Sequence, residues 1–207
     1  RPNSRLLEMY TEDHPTHKAI KLSEDRLSGV VPIFIHAQID EGDLLDPDIL
    51  NRLSQLETEL QKHDLVLWTH SFPAQIQNIH QLLTEEDLLP QNRELIAQEL
   101  LMAEMSGELP LDGIRTLDYS QARILALCKD AGGRNYIELS EAVQRKIDVL
   151  FPPSQNVKVT LSGDGLMASI GINKLITDLI SSLSLVFAVI VAVLFWLLRD
   201  IKLCLIA

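Results

Sequence analysis

The chain has 207 residues, 46% of them hydrophobic, with 18 basic and 29 acidic side chains and a formal net charge of −11. That length supports one or two domains with a real core, and the acidic balance repels phosphate backbones, which excludes nucleic acid as a natural partner. With only Cys128 and Cys204 there is no disulfide framework, so any folded part must stand on its core alone.

Residues 1–28 mix charge with short apolar runs, and "TEDHPTHKAIKLSEDRLSG" predicts a loop leading into a helix over about 15–28, closed by Gly29. "VVPIFIHAQID" then alternates. Ile33, Ile35, Ala37 and Ile39 point one way, and Phe34, His36 and Gln38 the other, which is strand periodicity with one face more apolar. Pro32 suits a strand beginning or an edge. In "DEGDLLDPDILNRLSQLETELQKHD" Asp46 is placed to cap a helix and Pro47 fits its first position. Ile49, Leu53, Leu56 and Leu60 follow as one apolar stripe.

"LVLWTHS" predicts a short strand stopped before Pro73. A helix-prone stretch comes next, then a polar-and-leucine helix through "NRELIAQELLMAEMSG" ending at Gly107. "RTLDYSQARILALCKD" reads as an extended strand or a tight strand pair. In "GGRNYIELSEAVQRKIDVLF" a helix puts Tyr136, Leu139, Val143, Ile147 and Leu150 on one face, and Pro152 and Pro153 end it. "NVKVTLSGDG" is a strand with Val157, Val159 and Leu161 alternating, and its "GDG" turns into a final helix that Asp164 is placed to cap. The order is strand–helix–strand, a helical insert, then strand–helix–strand. Two such units commonly pair in one antiparallel sheet with both helices on one face, so the expected class is α+β with a ferredoxin-like arrangement.

From Leu179 to Leu198 the chain carries no charged side chain, a run of 20 positions. At about 1.5 Å per residue this spans about 30 Å, the hydrocarbon thickness of a bilayer. A buried core helix seldom stays apolar on every face for so long, and the C-terminal position excludes a signal peptide. Arg199 and Lys202 follow directly. Positive flanks stay cytoplasmic, so residues 1–178 are expected outside the cytoplasm. Residues 1–173 then hold 15 basic and 27 acidic side chains, net −12. Cys128 and Cys204 fall on opposite sides of the membrane and cannot pair; Cys128 reads as a small buried hydrophobe. Trp196 with Arg199 and Lys202 fits an interfacial anchor. Ser181, Ser182 and Ser184 are candidates for close helix packing within the membrane.

No catalytic set emerges. Asp13, His14 and His17 are too loosely spaced around Pro15 for a metal site, and His36, His63, His70 and His80 are scattered. "TEEDLL" and "DEGDLLDPD" read as solvated and capping acids. "GDG" and "DAGGRN" lack the spacing of phosphate loops, and Ser71, Ser120 and Ser162 sit in no nucleophile elbow. The expectation is a protein that is no enzyme and needs no cofactor or metal.

"VKVTLSGDG", the small-residue stretch "LMASIG", the amphipathic "INKLITDLISSL" and the charged "RDIKL" resemble the end of the first extracytoplasmic loop and the second span of resistance–nodulation–division transporters. The resemblance is to the compact branch that includes mycobacterial-lipid and hopanoid exporters. "LSGVVPIFIHAQIDEGDLLDPDILNRLSQLETELQ" resembles the first strand and helix of that family's porter domain. The likeness covers residues from about 22 to the end.

It implies a fragment of a proton-driven inner-membrane exporter of hydrophobic or amphipathic compounds, with lipids the expected cargo. Residues 1–28 would be a lead-in after a missing span, and 29–163 the porter-like domain. A helix over 164–200 would continue into the membrane, and 201–207 would begin the next span. Membrane lipid, the remaining spans, a second porter domain and a hydrophobic substrate are the implied partners, and a homo-oligomer is compatible with them. The family's proton relay uses ionisable residues in other spans; the span here holds none between Leu179 and Leu198. Two alternatives stay open. One is a single-pass anchored extracytoplasmic binding or sensor domain, and the other a membrane-bound hydrolase.

Overall fold

The computed structural model describes residues 7–107, 113–152 and 156–198. A short 3-10 turn at Leu7–Met9 precedes helix α1 (Pro15–Arg26). Its cap is His14, whose ring accepts from the Thr16 amide at 3.2 Å. No α1 side chain is buried. Backbone anchors hold this segment instead. The Leu7 amide donates to Asp130 at 2.7 Å, and Glu24 accepts from the Asp130 amide.

Strand β1 (Val31–Ile39) is central in a four-stranded sheet. It buries Val31, Ile33, Ile35, Ala37 and Ile39, as its alternation predicts. Pro32 is the second residue of β1, at the strand's beginning; the strand itself is central, not an edge. Pairing with the neighbouring strand on one side starts only at Phe34, so the missing amide leaves no gap in the ladder. Gly29 does not close α1, which ends at Arg26 with Leu27 as its cap; it is glycine because a Cβ there would overlap the Cys128 backbone.

Helix α2 (Pro47–Gln61) starts as expected, with Asp46 accepting from the Asp48 amide at 2.8 Å. Its stripe, Ile49, Leu53, Leu56 and Leu60, lies in the core. β2 (Val66–His70) leads into α3 (Phe72–Thr84), capped by Ser71, and α4 (Arg93–Ser106) ends on left-handed Gly107. β3 (Gln121–Cys128) is one strand, to which Arg115 adds a single bridge opposite Ala122. The Thr116 amide donates to the Gln121 carbonyl at 3.0 Å and the Arg123 amide to the Ile114 carbonyl at 2.8 Å, so residues 114–116 fold back as a short pair on the start of the strand.

α5 (Gly133–Leu150) buries Tyr136, Leu139, Val143 and Ile147, with Leu150 half-buried against them. β4 (Val157–Ser162) is followed at once by α6 (Asp164–Leu198). Asp164 is the first helical residue rather than the cap before it. Gly163 takes the place where a cap would stand, because a Cβ there would come within 2.8 Å of the Pro32 carbonyl oxygen. The Asp164 carboxylate instead faces the positive end of the helix from its first turn.

The strand order is β2-β3-β1-β4 and every neighbouring pair is antiparallel. The described residues therefore form an α+β structure with a four-stranded antiparallel sheet and seven helices counting the 3-10 turn, one of them long and apolar. α2 and α5 pack against each other over the buried face, and α3 and α4 extend the same core through Phe72, Ile76, Ile96 and Leu100.

Two polar ties cross this core. Glu57 of α2 accepts from Thr69 at 2.7 Å and from Ser71. His80 of α3 meets Glu99 of α4 at 2.8 Å, both side chains buried. A third tie lies at the surface: Arg93 grips both oxygens of Asp43, at 2.6 and 2.7 Å. It holds the Asp43 carboxyl below its ordinary value of 3.8, chiefly through the hydrogen bond, with partial burial opposing. Because the folded value is the depressed one, the pair contributes fully above the ordinary carboxylate value. That contribution is lost as pH falls through the folded value. Asp43→Asn should therefore lower the thermal midpoint slightly at neutral pH, and the gap to the parent should close on acidification below 3.8. A gap that widened in acid would contradict this assignment.

Candidate functional site

α6 is the first component. It runs unbroken for 35 residues, about 52 Å at 1.5 Å per residue. Its root is fixed in the domain: Leu166 is buried, and a Cβ at Gly165 would come within 2.6 Å of Val31. The helix packs on α5 and β1. Its stretch Lys174–Val193 is long and apolar enough to cross a membrane and has no part buried against the rest of the chain. It overlaps the charge-free run that begins at Leu179.

Ser181, Ser182 and Ser184 are all exposed on this stretch. Ser182 donates to the Asp178 carbonyl at 2.8 Å, within its own helix. Ser181 and Ser184, three apart, share a face. Trp196 is exposed in the last turn of α6. Arg199 and Lys202, like Cys204, lie outside the described residues.

The second component is the sheet face that no helix of the core covers. The same alternation that buries one side of β1 leaves Pro32, Phe34, His36 and Gln38 on the other. Strand register sets their neighbours. Leu127 pairs with both Pro32 and Trp68, and Leu125 pairs with both Phe34 and His70. Arg123 faces His36, which in turn faces Thr160. Gln38 lies between Gln121 and Lys158. The face is thus graded. Its apolar part lies beside Ser162, the end of β4 from which α6 departs, and its polar part lies at the far end. Trp68 stacks on His70 with ring centroids 5.5 Å apart.

A shallow cleft of about 150 Å³ opens in the middle of this gradient, lined by His36, Arg115, Thr116, Gln121 and Arg123 among others. The Arg123 guanidinium lies 5.1 Å above the Phe34 ring. The Arg115 guanidinium lies 4.6 Å from the Tyr119 ring, and one of its ends is taken by Glu104. Partial burial, and secondarily the Arg123 charge, lower the His36 pKa. A second cleft of about 250 Å³ lies between α2 and α5, on the opposite side of the sheet, over Leu56, Leu60 and Val143. The Glu59–Lys146 pair, 3.7 Å apart, stands on its rim.

The remaining sequence candidates are spent on structure. His14 caps α1, and His17 lies 3.4 Å from the Tyr10 carbonyl. His63 accepts from the Leu65 amide at 3.3 Å. Ser71, fully buried, caps α3 and bonds Glu57. Ser120 bonds Asp118 in a turn at 2.8 Å. Burial pushes the Cys128 thiol up to about 12, so it is an inert core residue. Among the described residues no three His, Cys, Asp or Glu side chains gather as metal ligands.

Sequence reading placed His36 on the polar strand face but did not bring Arg115 or Arg123 to it. They lie about 80 residues along the chain; the β1–β3 register sets Arg123 opposite His36, and the bridge to Ala122 brings Arg115 alongside. No protein-family model matches the chain, and no curated protein matches it significantly.

Proposed function

We propose that this chain is one extracytoplasmic wall, and the following span, of a proton-driven inner-membrane exporter of the resistance–nodulation–division type. Its cargo is hydrophobic or amphipathic, with lipids foremost. The observation that carries the reading is the single helix that is rooted in the domain core at Leu166 and continues without a break through Lys174–Val193. An anchor needs only a tether, whereas a helix continuous with the domain moves with it as a rigid body.

The strand order, the antiparallel pairing and the contact between α2 and α5 support a ferredoxin-like porter fold for residues 29–163. Arg199 and Lys202 support a periplasmic location for residues 1–178. The open sheet face is the wall turned toward cargo, its apolar part nearest the membrane helix. The chain binds and moves its cargo without chemical change; the capping and packing roles of Ser71, His14 and Cys128 support that.

Deletion of the gene should trap an amphipathic lipid in the inner membrane, detected by mass spectrometry of separated membranes. Alkaline carbonate should leave the chain in the membrane pellet. Release by carbonate would remove the span from the reading. Retention with an unchanged lipid distribution would favour a single-pass anchored binding or sensor domain.

A further inference from the structure

We propose that the His36–Arg115–Arg123 cleft holds the anionic head group of an amphipathic ligand, a carboxylate or a phosphate, whose apolar part lies along Phe34, Leu125 and Trp68. The ligand's amphipathic character rests on the exporter reading; the anion site stands on its own geometry.

Three observations carry it. First, the chain is strongly acidic, at −11, yet two arginines and a histidine from three separate places converge on one cleft of about 150 Å³. Second, part of their hydrogen-bonding capacity is unfilled, although Arg115 already gives Nη2 to Glu104 and Nη1 to the Thr116 carbonyl. Arg115 is 8% exposed at its side chain, and the buried Nε atoms of Arg115 and Arg123 have no partner. Buried donors without partners are uncommon. Among the described residues no carboxylate pairs with Arg123, which rests on the Phe34 ring. Its Nη2 lies only 3.1 Å from where a Cβ of residue 113 would stand, so glycine there leaves the guanidinium its room. A planar guanidinium offers paired donors that match two oxygens of a carboxylate or phosphate.

Third, an apolar track begins where the charge ends. From Arg123 the same face of β3 continues through Leu125 to Leu127, four residues or about 13 Å. The exposed Trp68 flanks it at Leu127. The track runs toward the end of the sheet from which α6 leaves. A head group at the arginines would therefore point its chain toward the membrane side.

The test uses the full chain in non-ionic detergent with Trp196→Phe, so that Trp68 reports alone. Octyl phosphate, octanoate, octanol and inorganic phosphate are titrated below micelle formation. Octyl phosphate and octanoate should each bind about tenfold or more tightly than octanol, and inorganic phosphate should bind weakly. Arg123→Gln should erase that tenfold preference, Arg123→Lys should restore part of it, and added salt should reduce it. Circular dichroism of both variants should match the parent.

Octanol binding as tightly as octyl phosphate, or an unchanged preference in folded Arg123→Gln, would overturn the anion site. If Arg123→Gln does not fold, loss of the preference in Arg123→Lys together with no salt effect would also overturn it. Equal affinity for inorganic and octyl phosphate would overturn the amphipathic ligand. The exporter reading fails separately, by unchanged membrane lipids in the deletion strain while octyl phosphate still binds.

Discussion

Replacing His80 with alanine should lower the unfolding free energy by about 3–5 kcal/mol, the usual cost of removing one member of a buried pair. His80 and Glu99 are both buried, and they meet at 2.8 Å between α3 and α4. The other Glu99 oxygen has no hydrogen-bond partner, so among the described residues the imidazole supplies the bond that the carboxyl has. Glu86 stands 3.9 Å from the opposite ring nitrogen and is largely exposed; as an acceptor it offers Glu99 no donor. Alanine would thus leave a carboxyl sealed from water with no donor, beside a new cavity. A double variant, His80→Leu with Glu99→Leu, should recover most of the loss, because removing both partners removes the desolvation cost. Urea denaturation in detergent, read by circular dichroism, checks both. A loss below about 1 kcal/mol for His80→Ala would mean that the pair is not sealed as described.

On the proposed exporter reading, proline at Lys174 should cut transport by about 5–150-fold, the range of ordinary coupling free energies, with membrane insertion intact. Lys174 is exposed in mid-helix, between the buried root at Leu166 and the charge-free run from Leu179. Proline there would remove a backbone bond and kink the helix, at a local cost of about 3 kcal/mol. No core side chain is disturbed, so the sheet domain should fold as before. The apolar stretch beyond the kink still suffices for insertion. What is lost is the rigid link by which, on that reading, motion of the span turns the domain. Lys174→Ala is the control and should transport normally. Transport by Lys174→Pro at the parental rate, with insertion confirmed by carbonate extraction, would remove the rigid-link mechanism.

Local features were legible because local physics makes them. Asp46 and Pro47 start α2 whatever lies elsewhere, since a cap bonds amides two residues away. Gly107 ends α4 because a left-handed residue is needed there. The alternation from Ile33 to Ile39 and the stripe from Ile49 to Leu60 marked the buried faces correctly. Asp164 was misplaced by one position, because only the packing of Gly163 against the Pro32 carbonyl determines which residue begins the helix. Leu166 as a buried root, and the contact of α6 with α5, likewise have no local signature.

By itself, then, the sequence determined most of the elements, the Asp46 and Gly107 caps, the α+β class and a helix greasy enough for lipid. Each depends on residues within a few positions of one another, where periodicity and capping act. Only the tertiary structure decided that Gly29 lies against Cys128, that His80 finds Glu99, and that Arg115 and Arg123 share a cleft with His36. Those meetings depend on which strands and helices become neighbours and in what register. Register is a property of the whole core, settled by burying all its apolar faces at once.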